Sequence, residues 1–83
     1  MYRVLLLRRA LKDIAALPRD YLRLVSQHID RLAEEPRPRD AKKLRGTQDY
    51  SLRVGTYRIL YAIDDEARAV TVYRVKHRRE AYR

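Results

Sequence analysis

Apolar residues in this chain follow two kinds of spacing, and the change from one to the other divides the fold. Tyr2 to Leu7 is rich in aliphatic residues and predicts a buried strand. Leu7, Ala10, Leu11, Ile14 and Leu17 then recur at the i, i+3, i+4, i+7 intervals of one helical face. Pro18 ends that helix and opens the next at its first turn, where its missing N–H is harmless. Asp20 follows where the helix dipole favours a negative charge. The second helix is predicted to run to about Glu35. Leu22, Val25, Ile29 and Leu32 form its apolar stripe, and Tyr21 and Leu24 flank it. Pro36 and Pro38 close it, and residues 37–47 read as a loop with a turn at Gly46.

Beyond the loop the spacing changes to two. Tyr50, Leu52 and Val54 alternate with Ser51 and Arg53. Gly55-Thr56 suits a two-residue hairpin turn with glycine first, and Tyr57 to Ile63 is the returning strand. Residues 64–68 form a charged turn, and Ala69 to Val75 is a third β-rich run. His77 to Arg83 is a short basic tail that the pattern leaves either helical or irregular. The predicted fold is α+β, in the order β-α-α-β-β-β, as a single domain over residues 1–83. Two helices cover one face of a small, mainly antiparallel sheet.

The charge is strongly and unevenly positive. Twenty Lys and Arg against eleven Asp and Glu leave +9, and sixteen of the twenty are arginine, whose planar fork matches phosphate. Residues 1–41 carry nine basic and six acidic side chains, and residues 42–83 carry eleven and five. The second half is therefore the better partner for a polyanion. Without cysteine, a thiolate nucleophile and a thiolate metal site are excluded. Val4 to Leu7 is far too short to span a bilayer and lacks a signal-peptide cleavage pattern, so a cytoplasmic protein without membrane contact is the default.

The hairpin register sharpens the charge argument. With Gly55-Thr56 as the turn, Arg53 lies opposite Arg58 and Leu52 opposite Ile59. Tyr50, Leu52, Ile59 and Tyr61 then share the face meant for the helices, and Ser51, Arg53 and Arg58 share the other. Like charges paired across strands destabilise a sheet by up to about 1 kcal/mol. Either an anion sits between the two arginines, or they splay into solvent or pair with acids such as Asp49 or Glu80. The tail adds Arg74, Lys76, His77, Arg78 and Arg79, a dense basic segment. It ends near Tyr82, which offers a ring for base stacking and a hydroxyl for proton transfer. His28, inside the second helix, reads as structural or solvated.

Three stretches carry a family resemblance in order: Lys43-Leu44-Arg45-Gly46, the hairpin from Tyr50 to Tyr61, and His77-Arg78-Arg79-Glu80-Ala81-Tyr82-Arg83. With Ala10-Leu11-Lys12-Asp13 and Leu17-Pro18, they resemble the RelE/ParE toxin superfamily over essentially the whole chain. The resemblance implies a toxin of a type II toxin–antitoxin system, neutralised by a cognate antitoxin. RelE-like members are endoribonucleases that cut messenger RNA on the ribosome without metal or other cofactor. A ribose 2′-hydroxyl attacks the adjacent phosphate and expels the 5′-oxygen. ParE-like members share the fold and inhibit DNA gyrase instead.

On the RelE-like reading, Arg58 matches a phosphate-stabilising arginine and Arg78 a second active-site arginine. Tyr82 matches a tyrosine that stacks on the scissile nucleotide or moves a proton, and Arg53 falls where the strand carries a basic residue. Lys42, Lys43, Arg45, Arg74, Lys76, His77 and Arg79 are the expected RNA-binding residues around them. One departure stands out. The RelE-like strand carries a further lysine for proton transfer where this chain has Ser51, a poor base at neutral pH. His77 is the nearby group whose ordinary pKa suits that work, and it serves equally well as a structural residue at the strand's end.

Overall fold

The computed structural model describes residues 1–81, and for Glu80 and Ala81 the backbone alone. Five strands and two main helices follow one another as β1 (Arg3–Leu6), α1 (Arg8–Ala15), α2 (Arg19–Arg31), β2 (Ala41–Lys43), β3 (Asp49–Val54), β4 (Tyr57–Asp64) and β5 (Ala69–His77). A single turn of helix, α3 (Arg78–Ala81), ends the described chain. The sheet order is β1-β5-β4-β3-β2. Every pairing is antiparallel except β1 with β5: the two helices carry the chain from β1 to β2 at the far edge, and the β2–β5 meander brings it back alongside β1. The α+β architecture with both helices packed against the sheet is as the spacing predicts.

The core lies between helices and sheet. Ala10 of α1 and Val25 and Ile29 of α2 meet Leu52, Val54, Ile59, Tyr61, Val70, Val72 and Val75, with Leu32 just beyond α2. Tyr61 is fully buried and donates its hydroxyl to the Pro36 carbonyl at 2.7 Å. Burial first, and then the nearby Tyr50, push its pKa up to about 12, so the proton that makes this bond is firmly held.

Three boundaries differ from expectation. The second helix stops at Arg31, not Glu35. Pro36 disfavours helical geometry at Glu35, and the Ala33 carbonyl is taken at 2.7 Å by the Tyr2 N–H. Within the expected loop, Ala41–Lys43 forms β2, pairing Ala41 with Leu52, Lys42 with Ser51 and Lys43 with Tyr50. Three residues with one apolar side chain have no periodicity to read; the partner strand makes them a strand. The third strand of the hairpin region continues through His77, past the expected end at Val75.

Candidate functional site: a cationic cleft on the open face of the sheet

The β3–β4 register is the one derived from the turn: Arg53 opposite Arg58, Val54 opposite Tyr57, Leu52 opposite Ile59. Gly55 takes φ +60° and no non-glycine residue of the turn has positive φ, as a hairpin turn with glycine first requires. The turn is held from the helix layer. Tyr21 of α2 accepts hydrogen bonds from the Thr56 N–H at 3.3 Å and the Thr56 hydroxyl at 3.4 Å, and its ring packs on Tyr57 at 4.8 Å. The Thr56 hydroxyl and then the Thr56 N–H hold the Tyr21 phenol below its ordinary pKa. A Cβ added at Gly55 would stand 2.5 Å from the Tyr21 oxygen, so glycine is needed for space as well as for φ.

The chain then returns to the same turn. The Arg78 N–H donates to the Thr56 carbonyl at 2.7 Å, which fixes the start of α3 against the hairpin. Arg78 and Arg79 consequently line a cleft of about 350 Å³ with Arg53 and Arg58. Arg53 and Arg58 also line an adjoining cleft of about 520 Å³, whose far end holds Arg39, Asp40, Lys42 and Ser51. Lys76 lies opposite Arg58 on the same face by register. Side chains from β2, β3, β4 and α3 thus converge on one surface. Preorganised cations of this kind can bind a phosphate and stabilise charge that develops on it.

Other basic residues singled out in the sequence stand elsewhere. Lys43, opposite Tyr50, points to the other face, and with Arg45 it lines a separate depression in the β2–β3 loop. Arg74 donates from Nε and Nη2 to Asp13 of α1 at 2.8 and 3.3 Å, and the Val75 N–H reaches the same carboxylate at 2.9 Å. Partial burial opposes the charge on Asp13, but the bonds from Arg74 and Val75 prevail and hold its pKa below the ordinary value. His77 makes an edge-on contact with the Tyr57 ring at 5.3 Å and lines a hollow against α1, on the helix side. Asp49, one of the acids weighed as a partner for the arginine pair, accepts from the Tyr73 hydroxyl at 2.9 Å. His28 donates to the Leu24 carbonyl within its own helix at 2.9 Å. Tyr82 lies outside the described residues.

Arg39 and Asp40 are cleft residues that the sequence pattern does not single out. No local periodicity marks them, and the short β2 pairing brings them to the site. Tyr21, read as a flank of the α2 stripe, positions the turn that carries both strand arginines.

A sheet with one face under helices and the other lined by convergent arginines defines a small basic α+β protein of the toxin–antitoxin class. The chain belongs to the ParE toxin family of type II toxin–antitoxin systems, parDE, whose model matches residues 4–82, and so to the RelE/ParE superfamily. It is 30% identical over 80 residues to a RelE1-named chain of Methanocaldococcus jannaschii, covering 92% of this chain and 89% of that one. It superimposes on the toxin–antitoxin complex RelBE2 of Mycobacterium tuberculosis with TM-score 0.82 and 40% identity, over 93% of this chain and 98% of that chain. The archaeal RelE–RelB complex of Pyrococcus horikoshii gives TM-score 0.84 and 31% identity, over 93% and 94%.

Proposed function

We propose that this protein is a RelE-like endoribonuclease that cuts messenger RNA on the ribosome. The observation that carries this reading is the meeting of Arg53, Arg58, Arg78 and Arg79 around one cleft on the open face. In the reaction, the ribose 2′-oxygen loses its proton and bonds to the adjacent phosphorus. The bond from phosphorus to the 5′-oxygen breaks, and that oxygen takes up a proton. A 2′,3′-cyclic phosphate and a 5′-hydroxyl result. Negative charge grows on the phosphate oxygens, and Arg58 and Arg78 stabilise it, with Arg53 and Arg79 alongside. Tyr82 is assigned to stacking or proton transfer, and Lys42 and Lys76 to the RNA backbone.

The apolar surface supports a protein partner. Leu5, Leu7 and Leu11 are 44%, 48% and 50% exposed along β1 and α1. An exposed leucine cluster of this kind marks an interaction surface. The M. tuberculosis and P. horikoshii relatives are solved as complexes with RelB-type partners. A cognate antitoxin with an amphipathic or acidic segment is accordingly the partner assigned here.

Primer extension on cellular messenger RNA after induction tests the nuclease. Wild type is expected to give discrete stops within translated regions, and Arg58→Ala to abolish them. Inhibition of DNA gyrase is the second reading, favoured by the ParE family match and by the neutral Ser51 in the strand. It predicts an SOS response with intact transcripts.

A further inference from the structure

We propose that the Lys42 end of the open-face cleft is a second phosphate seat, formed by Lys42, Arg39 and the Ser51 hydroxyl, for the neighbouring phosphodiester of the same RNA strand. The proposal rests on the RNA reading of that face and extends it. Ser51 is the one buried polar residue among the described residues, at 4% exposure, and its Oγ has no hydrogen-bond partner among them. Buried hydroxyls are as a rule bonded. Packing gives no reason for this one, since Leu60 stands opposite it on β4 and alanine has nearly the same shape.

What surrounds the hydroxyl is cationic. Lys42 pairs directly across from Ser51 on β2, Arg53 is two residues along on the same face, and Arg39 lines the same cleft. Asp40 contributes one opposing charge at the rim. A phosphate here accepts from the serine hydroxyl and from the Lys42 ammonium. Lys42 is exposed and long, so its head is free to swing to a ligand in the cleft.

The shape of the charge argues for a second phosphate over a second grip on the first. Arg53 and Arg58 belong to both clefts, with Arg78 and Arg79 at one end and Lys42 and Arg39 at the other. Cations at both ends of a shared central pair make an extended positive track. That matches a backbone with charges at regular intervals.

The test uses two 2′-O-methyl RNA trinucleotides of one sequence, which resist cleavage by 2′-oxygen attack. One carries two charged phosphodiesters, and the other has one linkage replaced by a neutral methylphosphonate. Wild type is expected to prefer the doubly charged probe by about tenfold, as a charge-assisted hydrogen bond provides. Lys42→Gln is expected to reduce that preference to about twofold and to lower the salt slope of the doubly charged probe by about 0.7, the value of one phosphate contact. Ser51→Ala is expected to reduce the preference too, with an unchanged or raised melting temperature, because it removes an unsatisfied buried group. A preference that survives Lys42→Gln, or a Ser51→Ala variant that melts earlier and weakens both probes alike, overturns the seat. If Arg58→Ala weakens both probes while Lys42→Gln weakens neither, the seat alone fails. If neither probe binds, or Arg58→Ala changes nothing, the RNA reading fails with it.

Discussion

The two faces of one small sheet answer to different demands. The helix-covered face is a conventional core, with Leu52, Ile59, Val72 and Val75 packed under α1 and α2. The opposite face places arginine against arginine across β3 and β4 and leaves a serine hydroxyl buried without a hydrogen-bond partner among the described residues. Both arrangements are mildly unfavourable for folding. The proposed function rests on this contrast, because rules broken locally in an otherwise consistent fold are where a functional site is expected.

Residues 58 and 59 are neighbours in sequence on opposite faces, and they offer the sharpest test of that contrast. Ile59→Ala is expected to destabilise the protein by about 2–5 kcal/mol, as a cavity in a closed core does. Arg58→Ala is expected to cost clearly less stability than that while lowering cleavage by about 10²–10³-fold, the loss typical of one transition-state donor. Urea titrations beside single-turnover assays separate the two. Equal stability losses in the two variants would erase the distinction between the faces.

The Asp13–Arg74 pair tests where the helix layer is tied to the sheet. Asp13→Asn is expected to cost about 1–3 kcal/mol at neutral pH, by leaving part-buried donors poorly matched. The folded pKa of Asp13 is depressed, so its contribution is fully present above the ordinary carboxylate value and is lost as pH falls through the lower folded value. The stability gap between wild type and Asp13→Asn should therefore narrow below about pH 4. A gap that is constant with pH would contradict the pairing.

Smaller effects belong to the turn that joins the faces. Gly55→Ala meets both the +60° φ and the Tyr21 oxygen, and should cost about 1–2 kcal/mol. Tyr21→Phe removes the acceptor for Thr56 and should cost about 0.5–1.5 kcal/mol. Because that turn carries Arg53 and Arg58 and holds Arg78 through the Thr56 carbonyl, both variants should also reduce cleavage more through kcat than through KM. A change in KM alone would detach the turn from the positioning of the arginines.

Much of this contrast was legible in the sequence, for identifiable reasons. Period-two spacing around a glycine-first turn is a strong local signal, and it yields the opposition of Arg53 and Arg58 without further information. The helix stripes are equally local, although Leu7, Leu11 and Leu22, read as part of them, stand exposed, and the end of α2 is not local, because Tyr2 and Tyr61 help define it from distant parts of the chain. Charge density alone could not sort the basic residues. Lys42 and Lys43 are adjacent, yet the pleat sends them to opposite faces once β2 is recognised as a strand. Arg74 and Arg78 are four residues apart, yet one is engaged by Asp13 and the other lines the cleft. These outcomes depend on long-range partners, which no local pattern records.

On the proposed reading, the open face is where RNA is held. Titration of the protein with a 2′-O-methyl RNA trinucleotide, followed residue by residue through backbone amide NMR shifts, tests it most directly. Shifts are expected to concentrate at residues 39–42, 51–58 and 76–79, with α1, α2 and β1 unmoved. Shifts confined to the leucine surface of β1 and α1, or no saturable shifts at all, would contradict it.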